Sequence, residues 1–294
     1  MTTPLTTGLI ALFNRYFLSR HYLFEVGDLW PLVPIDMGVV KNPILKSLLY
    51  GFEKKCYQKS SGSIGMSPPI SNYIRKKSPS TEVETIYNLS DCEYFVPQIA
   101  SDTVKTKYDI ADEFVITYTG TFGIANDLVR MIEVIKGLQH LPIKFLFIGM
   151  GAEKEMVSNR AKQLQLTNCQ ILDFQNKEGM KEIMSISDAM FISFANHPSL
   201  FTGSPNKLFD ALAAGLIIIT NFEGWIKELI ESEKCGFSFA HDSAVDFEEK
   251  ISPFLKSHEL TNDFKKQSRK LAEQKFDLEI QCQKWLKFIK SKVR

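Results

Sequence analysis

A chain of 294 residues has room for about two domains. Its 44 % hydrophobic and 23 % charged residues are those of a soluble globular protein, and a formal net charge of +1 removes any global field that would argue for nucleic acid. The five cysteines (Cys56, Cys92, Cys169, Cys235, Cys282) are scattered without a C-x-x-C pair, so they signal neither a metal site nor a disulfide framework and fit a reducing cytoplasm.

The opening run MTTPLTTGLIALFNRYFLSRHYLFEVGDLWP has no basic stretch ahead of its apolar residues, and Asn14 and Arg15 interrupt these. Neither a signal peptide nor a transmembrane span is expected. Up to residue 88 the pattern reads as a helix over 9–17, a strand YLFEV, a helix over 42–60, a short strand GSIGM, a helix over 69–77 and a strand VETIY. That is alternating β/α with three strands. The polar stretch NLSDCEYFVPQIASDTVKTKYDIADE lacks a period and reads as an interdomain connection.

From Phe114 the alternation is regular. VITYTG, IKFLFIG, NCQILDF, AMFISF, LIIITN and GFSFA read as strands, separated by amphipathic helical stretches. Short apolar strands alternating with helices predict a doubly wound parallel sheet covered on both faces. Beyond residue 243 only helical patterns follow. The tail from Lys265 carries ten Lys/Arg against Glu273, Asp277 and Glu279, and Trp285, Phe288 and Ile289 can share one helical face. It reads either as a docking helix with a solvated basic face or as a contact for an anionic membrane surface.

In doubly wound sheets ligands bind at the C-terminal strand ends. Four loops there carry candidate chemistry. TGTFG places Gly120, Thr121 and Gly123 between a strand and a helix, where backbone N–H groups could approach a phosphate; a plain glycine turn is the alternative. GMGAEKE repeats that logic with Gly149 and Gly151, again against a tight turn. In LDFQN, Phe174 could pack against a nucleobase or be core. The fourth is SPNKLFDALAAG, a helix start with Ser204 as N-cap and Pro205 as first helical residue. Lys207 then faces the positive end of the helix dipole, which is unfavourable unless an anion sits there. Asp210, three residues on, shares its face and could accept two hydrogen bonds from a vicinal diol such as a ribose. The competing reading is an i,i+3 ion pair on a solvated face.

The run PNKLFDALAAGLIII resembles the nucleotide-sugar-binding signature of retaining glycosyltransferases of GT-B architecture, the glycogen-synthase-like group. FEVGDLWP resembles the E-V-R-D-L-W-P segment of a bacterial subgroup that builds surface polysaccharides, including fucosamine-like transferases. TIYNLSDCEYFVP is similar to that group's connector, and KFDLEIQCQKWLKFI to its crossing C-terminal helix. The resemblance implies two doubly wound α/β domains, the N-terminal one incomplete: 1–110 as a partial acceptor-side domain with connector, 111–275 as the donor domain, and 276–294 as a helix returning to the first. It implies transfer of a sugar from a nucleotide-diphosphate donor to a saccharide or lipid-linked acceptor in polysaccharide or lipopolysaccharide assembly, with no metal and no cofactor. The expected place is the cytoplasm, peripheral at the inner membrane face. Gly120, Thr121, Gly123, Gly149, Gly151, Ser204, Asn206 and Lys207 match donor contacts, Asp210 the ribose-binding acid, and Phe174 the base-binding segment.

Three departures qualify this. Thr202 stands where much of the family has an acid eight positions before Asp210, with His197 as a substitute or a surface imidazole without sugar role. Gly27 stands where relatives carry Arg or His, leaving Asp28 either as an acceptor contact or as a turn cap. The segment that normally precedes the FEVGDLWP strand is missing, which implies a downstream start, a broken gene or a second polypeptide supplying that half. Besides the enzyme, two other readings stay open: a non-catalytic nucleotide-binding fragment or partner subunit, and a nucleotide-sugar epimerase of the same architecture.

Overall fold

A computed structural model of the chain describes residues 4–292. Residues 1–3 and 293–294, assigned from sequence to the first domain and the closing helix, lie outside the described residues. The chain forms two compact units. The first holds the described residues up to Leu89, His197–Pro205 and those from Leu278 on; the second holds Ser90–Asn196 and Asn206–Asp277.

The first unit runs α1 (Thr7–Phe17), β1 (Leu23–Val26), α2 (Leu32–Asp36), α3 (Pro43–Lys59), β2 (Gly62–Gly65), α4 (Pro68–Lys77) and β3 (Val83–Thr85). The three strands are parallel, in the order β1-β2-β3. Helix starts follow their caps: Asn42 Oδ1 accepts from the N–H groups of Ile44 and Leu45 ahead of Pro43, and Ser67 Oγ accepts from Ile70. Phe24, Val26, Cys56, Tyr57, Ile70 and Ile74 form the core. Glu53, the one acid of α3, is buried and held by Lys77, by Tyr57 Oη at 2.9 Å and by Tyr73 Oη at 3.3 Å. That set of donors answers the cost of burying a carboxylate.

The second unit contains α5 (Asp102–Lys107), β4 (Phe114–Thr121), α6 (Leu128–Gly137), β5 (Ile143–Met150), α7 (Lys154–Gln163), β6 (Cys169–Leu172), α8 (Lys177–Ile186), β7 (Ala189–Ile192), α9 (Asn206–Ala213), β8 (Ile217–Thr220), α10 (Trp225–Ser232), β9 (Gly236–Ser238), α11 (Ala244–Lys256) and α12 (His258–Leu271). Its sheet is parallel throughout, ordered β6-β5-β4-β7-β8-β9. The order reverses between β4 and β7, the point where doubly wound sheets open a crevice at their C-terminal edge. Strands β5, β7 and β8 are buried on both faces, which is why they read as continuous apolar runs rather than alternating ones.

Two segments sit differently from the sequence expectation. The stretch 90–110, read as a connector belonging with the first domain, packs on the second unit. Ser90 Oγ donates to Phe209 O at 2.8 Å, and the Arg269 guanidinium donates to the carbonyls of Cys92, Phe95 and Ala213 at 2.7–2.9 Å. Conversely, His197–Pro205 belongs to the first unit. Asp36 Oδ2 accepts from Ser199 N and Oγ (3.3 and 2.6 Å), Ser67 Oγ donates to Thr202 O (2.6 Å), and Asn88 Nδ2 donates to Ser204 O (2.5 Å).

After a π turn at Ala272–Phe276 the chain closes with α13 (Leu278–Lys292), part of the first unit. Phe288 packs with Ile64 and Ile86, and Gln281 Oε1 accepts from Tyr87 N at 3.1 Å. Trp285 stays exposed, so the face expected to unite it with Phe288 is split.

Candidate anion-binding site in the second unit

Strand β4 ends in Gly120 and Thr121, at the reversal point of the sheet. Gly120 has φ +133°, which a side chain would resist. A Cβ there would also stand 2.9 Å from Lys207 Nζ. The lysine therefore lies directly over the glycine backbone. Thr121 turns its carbonyl inward, accepting from Tyr118 Oη (2.7 Å) and Asn126 Nδ2 (2.9 Å). That fixes the loop and leaves the Thr121 side chain exposed.

Gly123 is different. Its φ of −147° suits any residue, and a Cβ would meet only Thr121 Cγ2, at an ordinary 3.6 Å. Nothing among the described residues demands a glycine there. Gly149 and Gly151 have an internal reason. A Cβ on Gly149 would fall 1.8 Å from Gly120 O, and one on Gly151 would fall 2.2 Å from Phe122 O. These glycines let the ends of β4 and β5 close on each other, with Phe122 N donating to Met150 O and Glu153 N to Phe122 O. Loop packing accounts for them without a ligand.

Helix α9 follows. It begins at Asn206, which is exposed, rather than at Ser204; the Ser204 Oγ is buried without a hydrogen-bond partner and does not cap. Lys207 sits in the first turn. Its Nζ lies 4.0 Å from the centre of the buried Tyr118 ring, and among the described residues it makes no ion pair. Burial pushes its ammonium down to about 7. An ammonium that is desolvated and faces the positive end of a helix dipole, with only an aromatic face to help it, is short of a negative partner.

The i,i+3 ion pair with Asp210 does not form. Asp210 is raised to about 6, first by burial, with Asp91 acting the same way and Lys177 opposing. Lys177 itself is engaged with Asp91 at 2.8 Å and lies 4.1 Å from the Tyr94 ring centre. So α9 presents a partly buried cation and, one turn deeper, a partly buried carboxylate, each unsatisfied by the other. The arrangement suits a ligand that brings both an anion and hydroxyl donors.

Phe174 follows the end of β6 and is 61 % exposed, so it is not core. Beside it Lys154 Nζ holds Leu172 O at 3.0 Å and Asp173 Oδ1 at 2.6 Å, fixing the strand end. Asp28, His197 and Ser204 belong to the first unit; Asp28 is exposed and His197 half-buried. The Thr202 hydroxyl donates to Ser199 O at 2.7 Å, a local bond. Sequence reasoning missed Tyr118, whose ring carries Lys207, and the Lys177–Asp91 pair beside Asp210. Neither has a motif spacing.

A family model described as glycosyl transferases group 1 matches residues 101–271. A curated relative, described as the colanic acid biosynthesis glycosyl transferase WcaI of Escherichia coli K12, is 25 % identical over 115 residues. That match covers 39 % of this chain and 28 % of the relative, so it spans under a third of the relative's length. Among solved structures, HepE from Anabaena in complex with UDP superposes with a TM-score of 0.81 at 14 % identity, covering 98 % of this chain and 77 % of that one. Sucrose-phosphate synthase from Thermosynechococcus elongatus gives 0.77 at 16 % identity, covering 97 % and 71 %. At these identities the structures establish the fold, that of GT-B glycosyltransferases.

Proposed function

The chain belongs to the glycosyl transferases group 1 family, and on that premise we propose that it moves a sugar from a nucleotide-diphosphate donor, with retention at the anomeric carbon, to an acceptor of cell-surface glycan assembly. The observation that carries this reading is the unpaired Lys207 ammonium over Gly120. A diphosphate at the start of α9 would take the charge that Lys207 offers and meet the free N–H groups of the first turn. Asp210 would then accept from the ribose hydroxyls, and Phe174 would lie beside the base. As the bond from sugar to diphosphate breaks, negative charge would grow on the leaving oxygen, and Lys207 and the helix end would stabilise it. Retention would follow from attack on the face the diphosphate leaves, with the departing phosphate taking the acceptor's proton.

UDP in the HepE structure supports a uridine donor as the first to test. The WcaI likeness and the fold shared with WaaG, a glycosyltransferase involved in lipopolysaccharide biosynthesis, support a surface-polysaccharide acceptor. A second reading, a nucleotide-binding subunit without turnover, draws on Gly27 and on the absence of an acid at Thr202. Calorimetry with UDP and GDP, followed by donor-hydrolysis assays, separates the two. The transferase reading expects binding with slow donor hydrolysis; binding of UDP or GDP with no turnover of any donor supports the subunit, and no binding of either nucleotide removes both.

A further inference from the structure

The loop that carries Gly123 is tied down at its far end by a residue that forgoes its usual task. After Gly123 the chain makes one short 3-10 turn, Ile124–Asn126, and enters α6 through Asp127. Asp127 stands where a helix N-cap belongs, and an aspartate there normally accepts from a first-turn N–H group. It makes no such bond, and its backbone is left-handed, with φ +47° and ψ +46°. Aspartate tolerates that conformation better than most residues do, but still at a cost.

The Asp127 carboxylate turns instead to His241, just beyond β9. Its Oδ2 stands 3.0 Å from His241 Nε2 and accepts from Arg130 Nε at 3.1 Å. The His241 and Asp127 side chains are mostly shielded from water, whereas Arg130 is half exposed. The other ring nitrogen, Nδ1, lies 3.1 Å from the carbonyl of Asn221, the residue after β8. A carboxylate and a carbonyl both accept, so the ring serves as donor on both sides. Asn221 is buried and carries the tie further: its Nδ2 donates to Ser193 Oγ at 3.0 Å, and its Oδ1 accepts from Phe194 N at 3.2 Å. Ser193 Oγ then donates to Asn126 O at 2.6 Å, and Ala195 N to Ala125 O at 2.8 Å. The turn behind Gly123 is thus bonded to the segments that follow β7, β8 and β9, and the chain of bonds closes on itself.

We propose that His241 is a positioning residue of the donor site: by holding Asp127 it fixes the turn after Gly123 where the backbone of that turn meets the donor's diphosphate. The inference rests on the donor reading above, and His241 acts through Asp127 rather than by touching the donor. The choice made at Asp127 favours a task in binding. A carboxylate that capped α6 from a right-handed backbone would serve the helix; turned to His241, it serves the place of the loop. Backbone strain of this kind collects where a segment must be held in one position for a ligand.

Titration of the full chain with UDP and with uridine separates this role from a general one, with GDP and guanosine in their place if the parent chain selects that base. His241→Phe keeps a ring and removes both donors. Asp127→Gly removes the carboxylate and suits the left-handed backbone, so it carries the test alone if His241→Phe does not fold. Each variant should weaken the diphosphate about tenfold and leave the nucleoside unchanged, because only the diphosphate meets this turn. The double variant should bind like either single one, the two residues acting as one unit. Variants that bind the diphosphate like their parent, an equal loss for diphosphate and nucleoside, or a double variant in which the two losses multiply overturns the proposal and leaves the donor reading standing. A parent chain that binds neither UDP nor GDP overturns the donor reading and this proposal with it.

Discussion

Lys207 is the residue on which the proposed chemistry turns, and burial at a helix start makes its charge costly without an anion. Burial lowers its folded value to about 7 while an unfolded lysine keeps its ordinary value. Between those two the unfolded chain binds the extra proton, so stability of the free protein should rise as pH climbs through this window. Lys207→Met should therefore raise the melting temperature of the free protein, by about 1 kcal/mol of stability, while weakening UDP by about 2 kcal/mol. A melting scan and a titration on one preparation check both signs. The same site predicts a two-sided pH profile for UDP affinity. Above about 7 free Lys207 sheds the proton that a diphosphate needs it to hold. Below about 6 Asp210 takes up a proton that the ribose hydroxyls must displace. Asp210→Asn should flatten the acid side and Lys207→Met the alkaline side, which separates both from titration of the nucleotide's own phosphate.

Among elements, the two glycine loops that look alike in sequence differ in what their surroundings demand. Gly149 is demanded by the carbonyl of Gly120, so Gly149→Ala should cost more than about 2 kcal/mol in denaturant unfolding. Gly123 is demanded by nothing in its surroundings, so Gly123→Ala should leave stability nearly unchanged and weaken UDP. If both variants lose only stability, the β4–α6 loop is a turn and not a cradle. The sequence made the strand–helix alternation legible because each buried strand is a short apolar run and each helix carries its own period. It could not reveal that 90–110 belongs with the second unit or 197–205 with the first. Those allegiances rest on scattered long-range contacts, among them the bonds from Arg269 to the carbonyls of Cys92 and Phe95 and from Ser199 to Asp36, and no local pattern encodes them. The candidate lysine and aspartate were legible because their residue types clash with a helix start; the Tyr118 ring beneath the lysine was not, being one more apolar position in a buried strand.

At the level of the whole molecule, the described residues of the second unit carry a doubly wound sheet of six strands and those of the first a parallel sheet of three. The charge on Lys207 gives the most direct measurement of the account. UDP, with GDP as the alternative base, should be titrated calorimetrically at pH 8 in two buffers of different ionisation enthalpy. Binding should draw a proton from the buffer, most of one per nucleotide, and Lys207→Met should abolish that uptake along with most of the affinity. Binding without proton uptake, or an uptake that Lys207→Met leaves intact, would contradict an anion seated against this lysine.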